Sequence, residues 1–235
     1  MCNLLNKSLI RHWVIMLNGI SDICEYLDEP EKEVIGKIQK NQELLVKSWQ
    51  EHTGTVEDYY RDNKQYLYDL VDFNGAVPYF KYRLAPLKEI AGLKILDIGC
   101  GIGTAAFMLA DQGNDVTGYD INKQLTGFCE YKKRKYQLGG QFTDAMPDIS
   151  QFDLIIAIDV LEHIEGLGAF LKGIGTKAKS ESIFYHYDNF ETNPLSPMHF
   201  DRSSEINRFL EEAGYKINYP FWATKQKEMT LCHSN

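Results

Sequence analysis

Asp97 stands two residues ahead of a glycine turn, Gly99-Cys100-Gly101-Ile102-Gly103, in which glycine recurs at every second position. Glycine lets a backbone turn sharply and come close to a ligand, because no Cβ intervenes. The turn follows the apolar run Lys94 to Ile98 and leads into good helix formers from Thr104. A helix starting there points its free amide end at whatever the turn holds. The dinucleotide fingerprint G-x-G-x-x-G wants its third glycine where Thr104 stands, one residue beyond Gly103. An anionic side chain at Asp97 suits a cationic amino acid better than a pyrophosphate. These residues therefore fit a nucleotide-like cofactor that carries positive charge.

Such a turn works only if strands and helices hold it. From Leu93 the pattern alternates between the two. Strand-like runs are Lys94 to Ile98, Asp115 to Tyr119, Gln141 to Thr143, Phe152 to Ile158 and Ser182 to Tyr187. Helical stretches are Thr104 to Gln112, Lys123 to Lys135, about Leu167 to Lys177, and Ser204 to Ala213, which Gly214 ends. Lys216 to Phe221 and Met229 to His233 read as two more strands. The alternation predicts an α/β fold: a doubly wound, mostly parallel, seven-stranded sheet with helices on both faces. Ligands of such sheets lie beyond the carboxyl ends of the strands.

Residues 1–90 read as helices only, which divides the chain into a helical amino-terminal region (1–90) and an α/β region (91–235). Leu9 to Ile20 is apolar enough to suggest a signal peptide. Arg11, His12 and Asn18 interrupt it, and Leu9, Trp13, Leu17 and Ile20 share one helical face, so an amphipathic core helix is expected. Asp28-Glu29-Pro30 announces a second helix through Trp49. Thr55 caps a third, which carries Tyr59, Tyr60, Tyr66 and Tyr68 and stops at Asn74-Gly75. A short helix from about Tyr79 to Ile90 follows.

The formal net charge is −8, which excludes a global basic footprint for nucleic acid. The basic run Lys132 to Lys135 ends a helix, where cations meet the dipole favourably, and reads as a solvated face. The five cysteines, Cys2, Cys24, Cys100, Cys129 and Cys232, have no zinc or redox spacing. Reduced thiols and a cytoplasmic location are expected, with no membrane span.

Leu96 to Gly103, LDIGCGIG, resembles the first motif of the class I S-adenosylmethionine-dependent methyltransferases. Further motifs follow in order: VTGYD, FTDAMPD and FDLIIAIDVLEHI. The resemblance covers about residues 50 to 235, and is nearest the broad group that includes ubiquinone-pathway methyltransferases. It implies a Rossmann-like methyltransferase fold with an amino-terminal helical lid and S-adenosylmethionine as cofactor. Asp97, Gly99, Cys100, Gly101 and Gly103 would line the cofactor. Asp120 would bind both ribose hydroxyls, and Ile121 would pack on the adenine. Asp144 and Ala145 would read the adenine edge. Ile158 and Asp159 would lie beside the methionine part. Related enzymes close a helix over the cofactor carboxylate, which points to Tyr60 or Tyr59.

A methyl acceptor that is a hydroxyl needs a base, whereas an amine needs only to arrive neutral. His163, His186 and His199 are the candidate catalytic bases, all from loops on the expected ligand side. Alternatively, Asp159, Glu162, His163 and His199 are similar to the carboxylate–histidine metal site of small-RNA 2′-O-methyltransferases and some ubiquinone-pathway enzymes. A divalent ion held there would acidify a substrate hydroxyl. A substrate that needs no base is the third possibility. The expected function is methylation of a small molecule, on oxygen or nitrogen rather than carbon. An RNA or protein methyltransferase and a catalytically inactive cofactor-binding protein are the rivals. A basic or extended groove would mark the first, and a site with neither base nor open cavity the second.

Overall fold

The structure, a computed structural model, describes residues 19–74 and 79–227. Five helices come first: α1 Gly19–Leu27, α2 Glu31–Gln39, α3 Asn41–Glu51, α4 Val56–Asp62 and α5 Tyr66–Asn74. A π-helical turn, Tyr79–Leu84, and a 3-10 turn, Ala85–Leu87, lead to the sheet. Then strand and helix alternate: β1 Lys94–Ile98, α6 Thr104–Asp111, β2 Asp115–Tyr119, α7 Lys123–Tyr136, β3 Gln141–Thr143, β4 Leu154–Ile158, α8 Leu167–Lys177 and β5 Ile183–Tyr187. α9 Ile206–Glu212, β6 Tyr215–Tyr219 and β7 Trp222–Lys225 complete the fold.

The seven strands are ordered β3-β2-β1-β4-β5-β7-β6. β1 to β5 run parallel, and β7 is antiparallel to β5 and to β6. The strand order reverses between β1 and β4, the place where sheets of this kind bind ligands beyond their carboxyl ends. β4, LIIAI, is buried throughout, as a parallel strand covered on both faces must be. Its side chains alternate between two cores. Ile155 and Ala157 pack with Leu96, Phe184, Leu171 and Leu210. Ile156 and Ile158 pack with Ile95, Tyr185, Ala106 and Leu109. A third core joins α1, α2 and α5 to α7, through Ile23, Val34, Leu67 and Phe128, and reaches Ile102 of the glycine turn.

Four sequence expectations are corrected. The seventh strand is Trp222–Lys225, because Phe221, at φ 75°, turns the chain back for an antiparallel hairpin with β6. The expected strand Met229 to His233 lies outside the described residues, as do Leu9 to Asn18 of the first helix. The second helix is two helices that break at Lys40, and Pro30 rather than an acid sits at the first one's cap position. The third also splits: the Thr55–Asp58 capping box starts α4 as expected, but the Asn63 side chain accepts the Gln65 amide at 2.9 Å and ends the run. The basic run is not a solvated face throughout. Lys132 is buried, its ammonium over the rings of Phe107 and Phe128, and Lys135 pairs with Asp22 and Glu25 of α1. Lys135 thereby anchors α1 onto α7.

Cys24, Cys100 and Cys129 are free thiols, while Cys2 and Cys232 lie outside the described residues. Among the described residues no helix is long and apolar enough to cross a membrane.

Candidate active site

The glycine turn lies at the carboxyl end of β1. Gly99 and Gly101 are left-handed, at φ 65° and 52°. Neighbours also exclude a side chain at either one. A Cβ on Gly99 would come within 2.3 Å of Val160 Cγ2, and one on Gly101 within 2.9 Å of Leu70 Cδ1. The Cys100 amide donates to the Tyr119 carbonyl at 3.0 Å, which ties the turn to β2. Cys129 on α7 donates its thiol to the Gly101 carbonyl at 3.2 Å.

Two buried acids flank the turn. Asp97 is 2% exposed, and its Oδ2 has no hydrogen-bond partner. Burial, and then the neighbouring charge of Asp120, push its carboxyl up to about 8. Asp120 is 8% exposed. Its Oδ2 accepts the Gly101 amide and its Oδ1 the Asn122 amide, both at 2.9 Å. Burial raises it to about 6 against those two bonds. The backbone thus aims both oxygens of Asp120, and each keeps a second lone pair. Two buried carboxyls, one with an unpartnered oxygen and one with both oxygens oriented, suit a ligand bearing a positive group and a vicinal diol. S-Adenosylmethionine has both, so the donor set fits that cofactor.

The other expected cofactor contacts surround this centre. Ile121 is half-buried directly after Asp120. Asp144 is exposed beside Lys123, at 3.4 Å, and the Ala145 amide closes a turn on Thr143 Oγ1. Ile158 is buried at the end of β4. Asp159, next in the chain, is left-handed at φ 53°, its amide bonded to the Tyr187 carbonyl at 2.7 Å. Its Oδ2 pairs with Arg83 Nε, and its buried Oδ1 has no partner. The Arg83 guanidinium lies over the rings of Phe73 and Tyr187. Arg83 escaped sequence reasoning. Its only signal was a cation inside a largely apolar stretch ahead of β1.

The structure brings His163 and His199 together, with ring centroids 4.7 Å apart. The amide of Phe200, next to His199, holds that loop on the Glu162 carbonyl at 2.7 Å. Glu162 is 1% exposed. Its Oε1 accepts the Asn189 amide and its Oε2 has no partner. Burial first, then Asp188, raise it to about 8. Glu162, His163 and His199 each offer a ligand atom within 4.8 Å of the others. Asp159, expected in the same set, is engaged by Arg83 instead. Burial drives His163 down to about 3, so its ring is neutral at neutral pH. The Tyr60 hydroxyl lies 2.7 Å from its Nδ1 and 3.4 Å from the Met198 carbonyl. A proton on Nδ1 satisfies its bond to Tyr60, with Tyr60 donating onward to Met198.

His186 stands apart from that pair in its contacts. Its Nδ1 meets Asp188, and its ring neighbours are Phe184 and Phe221. Of the tyrosines, Tyr60 faces the site. Tyr59 is core, bonded to the Leu45 carbonyl and set edge-on to Trp49, while Tyr68 is buried in the third core and bonds Glu29.

Residues 96–184 match a family model described as a methyltransferase domain. Two relatives are ubiquinone biosynthesis O-methyltransferases. That of Rhodopseudomonas palustris (strain BisA53) is 28% identical over 131 residues, 54% of this chain and 51% of the relative. That of Azorhizobium caulinodans is 30% identical over 112 residues, 46% of this chain and 44% of the relative. The chain thus spans about half the length of the curated relatives it matches. In fold it is similar to an S-adenosylmethionine-dependent methyltransferase from Aquifex aeolicus, with a TM-score of 0.51 at 15% identity over 66% of this chain and 94% of that one. It is also similar to magnesium protoporphyrin IX methyltransferase from Synechocystis PCC 6803, solved with bound S-adenosylhomocysteine. There the TM-score is 0.51 at 20% identity over 77% and 93%. Residues 96–184 thus carry a methyltransferase domain, and the strand order of the sheet is similar to that of S-adenosylmethionine-dependent methyltransferases.

Proposed function

We propose that this chain methylates a small molecule in the cytoplasm, on oxygen or nitrogen, with residues 1–90 as a lid and residues 91–235 as the cofactor-binding unit. One observation carries the reading. Asp97 and Asp120 are buried on either side of a glycine turn at the point where the strand order reverses. When bound, S-adenosylmethionine supplies an electrophilic methyl group on a sulfonium. Asp97 offers its open oxygen to the amino-acid ammonium, and Asp120 offers two oriented oxygens to the ribose. Ile121 flanks the adenine, and Asp144 with Ala145 borders its edge. Ile158 and Asp159 close the methionine end. The remaining work is alignment of the acceptor and exclusion of water. The net charge of −8 counts against an RNA acceptor.

For a hydroxyl acceptor, His199 is the best base. Its ring meets the Glu191 backbone carbonyl, whereas His163, half-buried like it, is held by Tyr60, and His186 is held by Asp188. A second reading rests on the convergence of Glu162, His163 and His199 and on the open Oε2 of Glu162. Those three would hold a divalent ion, which would acidify an acceptor hydroxyl. Calorimetry with S-adenosylhomocysteine tests the main reading. Binding at one site per chain supports it, and no binding at millimolar ligand refutes it.

A further inference from the structure

Asn122 caps α7, its side-chain oxygen accepting the Gln124 amide at 3.0 Å. Capping needs only that oxygen. The nitrogen at the other fork of the side chain does something else. It donates to the carbonyls of Tyr60, at 2.9 Å, and Asn63, at 3.0 Å. Both carbonyls lie where α4 has run out of its own amides to satisfy them. Asn122 is 3% exposed, so these bonds are shielded from water. Its backbone amide meanwhile donates to Asp120 Oδ1. One residue therefore joins the ribose-side acid, the helix that follows it and the end of α4. The same α4 sends Tyr60 to His163.

We propose that Asn122 is a positioning residue that latches α4 and α5 onto the cofactor-binding turn. A ligand seated on Asp120 then also fixes the helix that carries Tyr60 over the histidine pair. This rests on the cofactor reading above. A diol on Asp120 immobilises the carboxylate, the carboxylate holds the Asn122 backbone, and the backbone aims the two side-chain donors. Coupling of this kind is reciprocal, so the latched helix tightens cofactor binding by the factor through which the cofactor favours the latched state.

The substitution Asn122→Asp isolates the latch. It keeps the capping oxygen and the size of the side chain, but turns an oxygen toward two carbonyl oxygens. Asn122→Ser, which also caps but is too short to reach them, is the second variant. Hydrogen exchange of the full chain is measured with and without S-adenosylhomocysteine, alongside calorimetric affinity. In the wild type the ligand should slow exchange in residues 56–74 and in the glycine turn. In both variants it should still protect the turn, leave residues 56–74 unprotected and bind about tenfold or more weakly, as expected for the loss of two neutral hydrogen bonds. Ligand-dependent protection of residues 56–74 equal to wild type in either variant overturns the latch alone. Variants that lose protection everywhere, with or without ligand, make Asn122 a structural cap and overturn it too. A wild type that does not bind the ligand overturns the cofactor reading and the latch with it.

Discussion

The hydroxyl of Tyr60 sits 2.7 Å from Nδ1 of His163, across 103 positions of sequence. This bond links the helical region to the loop after β4, and it reaches a ring that burial keeps neutral. Tyr60→Phe should leave that buried nitrogen without its partner. A cost of about 1–3 kcal/mol in unfolding free energy is expected. Urea denaturation followed by tryptophan fluorescence reads it. An unchanged midpoint would mean that the other contacts of α4 hold it unaided.

Asp120→Ala should remove both acceptors for the ribose. S-Adenosylhomocysteine affinity should fall by roughly 2–4 kcal/mol, since each bond to a charged acceptor contributes ~1.5–3 kcal/mol and the losses are not fully additive. Calorimetry decides it. Affinity equal to wild type would place the ribose elsewhere.

Asp97 gives a pH-dependent expectation. Its carboxyl is raised in the folded chain to about 8 from an ordinary 3.8. The folded state therefore keeps a proton that the unfolded chain releases between those values. The stability from this group is full below about pH 4 and is lost as pH rises toward 8. Asp97→Asn, which cannot titrate, should gain stability relative to wild type as pH rises across that window. An ammonium bound beside Asp97 favours its charged form, so S-adenosylhomocysteine should displace a proton at pH 7. Binding enthalpies should then vary with the ionisation heat of the buffer, and the Asp97 share of that variation should vanish in Asp97→Asn. A stability gap that stays flat from pH 4 to 8 contradicts the assignment.

The strands of the sheet core were legible because each is a local signal. An apolar run of strand length, a turn and a helical period occupy consecutive residues, as Lys94 to Ile98, Gly99 to Gly103 and Thr104 onward do. Asp97 was legible for the same reason, being an acid where an apolar strand ends. What escaped depends on residues far apart in the chain. Arg83 meets Asp159 across 76 positions, and Asn122 meets Tyr60 across 62. The split between α4 and α5 is of the same kind. Asn63 turns the chain locally, but its carbonyl is satisfied only because α7 brings Asn122 to it. Lys132 reads as a surface charge until the rings of Phe107 and Phe128 enclose it.

The histidines separate the remaining mechanisms. If His199 is a general base, a chelator should leave turnover intact, and His199→Ala should cost about 10²–10⁴-fold in rate. His163→Ala should then act mainly through stability, because a ring neutral down to about 3 neither gains nor loses a proton near neutral pH. His186→Ala should weaken the loop after β5 by stranding the buried Asp188 carboxyl. If Glu162, His163 and His199 hold a divalent ion, the pattern changes. A chelator should abolish turnover, and His163→Ala, His199→Ala and Glu162→Gln should fail alike, since each removes a ligand. Manganese or zinc titrated into the apoprotein should bind the wild type and none of those variants. S-Adenosylhomocysteine affinity should hold in every case, because none of the three touches Asp97 or Asp120 directly. The geometry favours His199 as the costliest single loss under the first mechanism, as its ring meets a backbone carbonyl while Tyr60 holds His163 and Asp188 holds His186. Full activity with all three histidines replaced would sink both mechanisms and leave alignment as the source of catalysis.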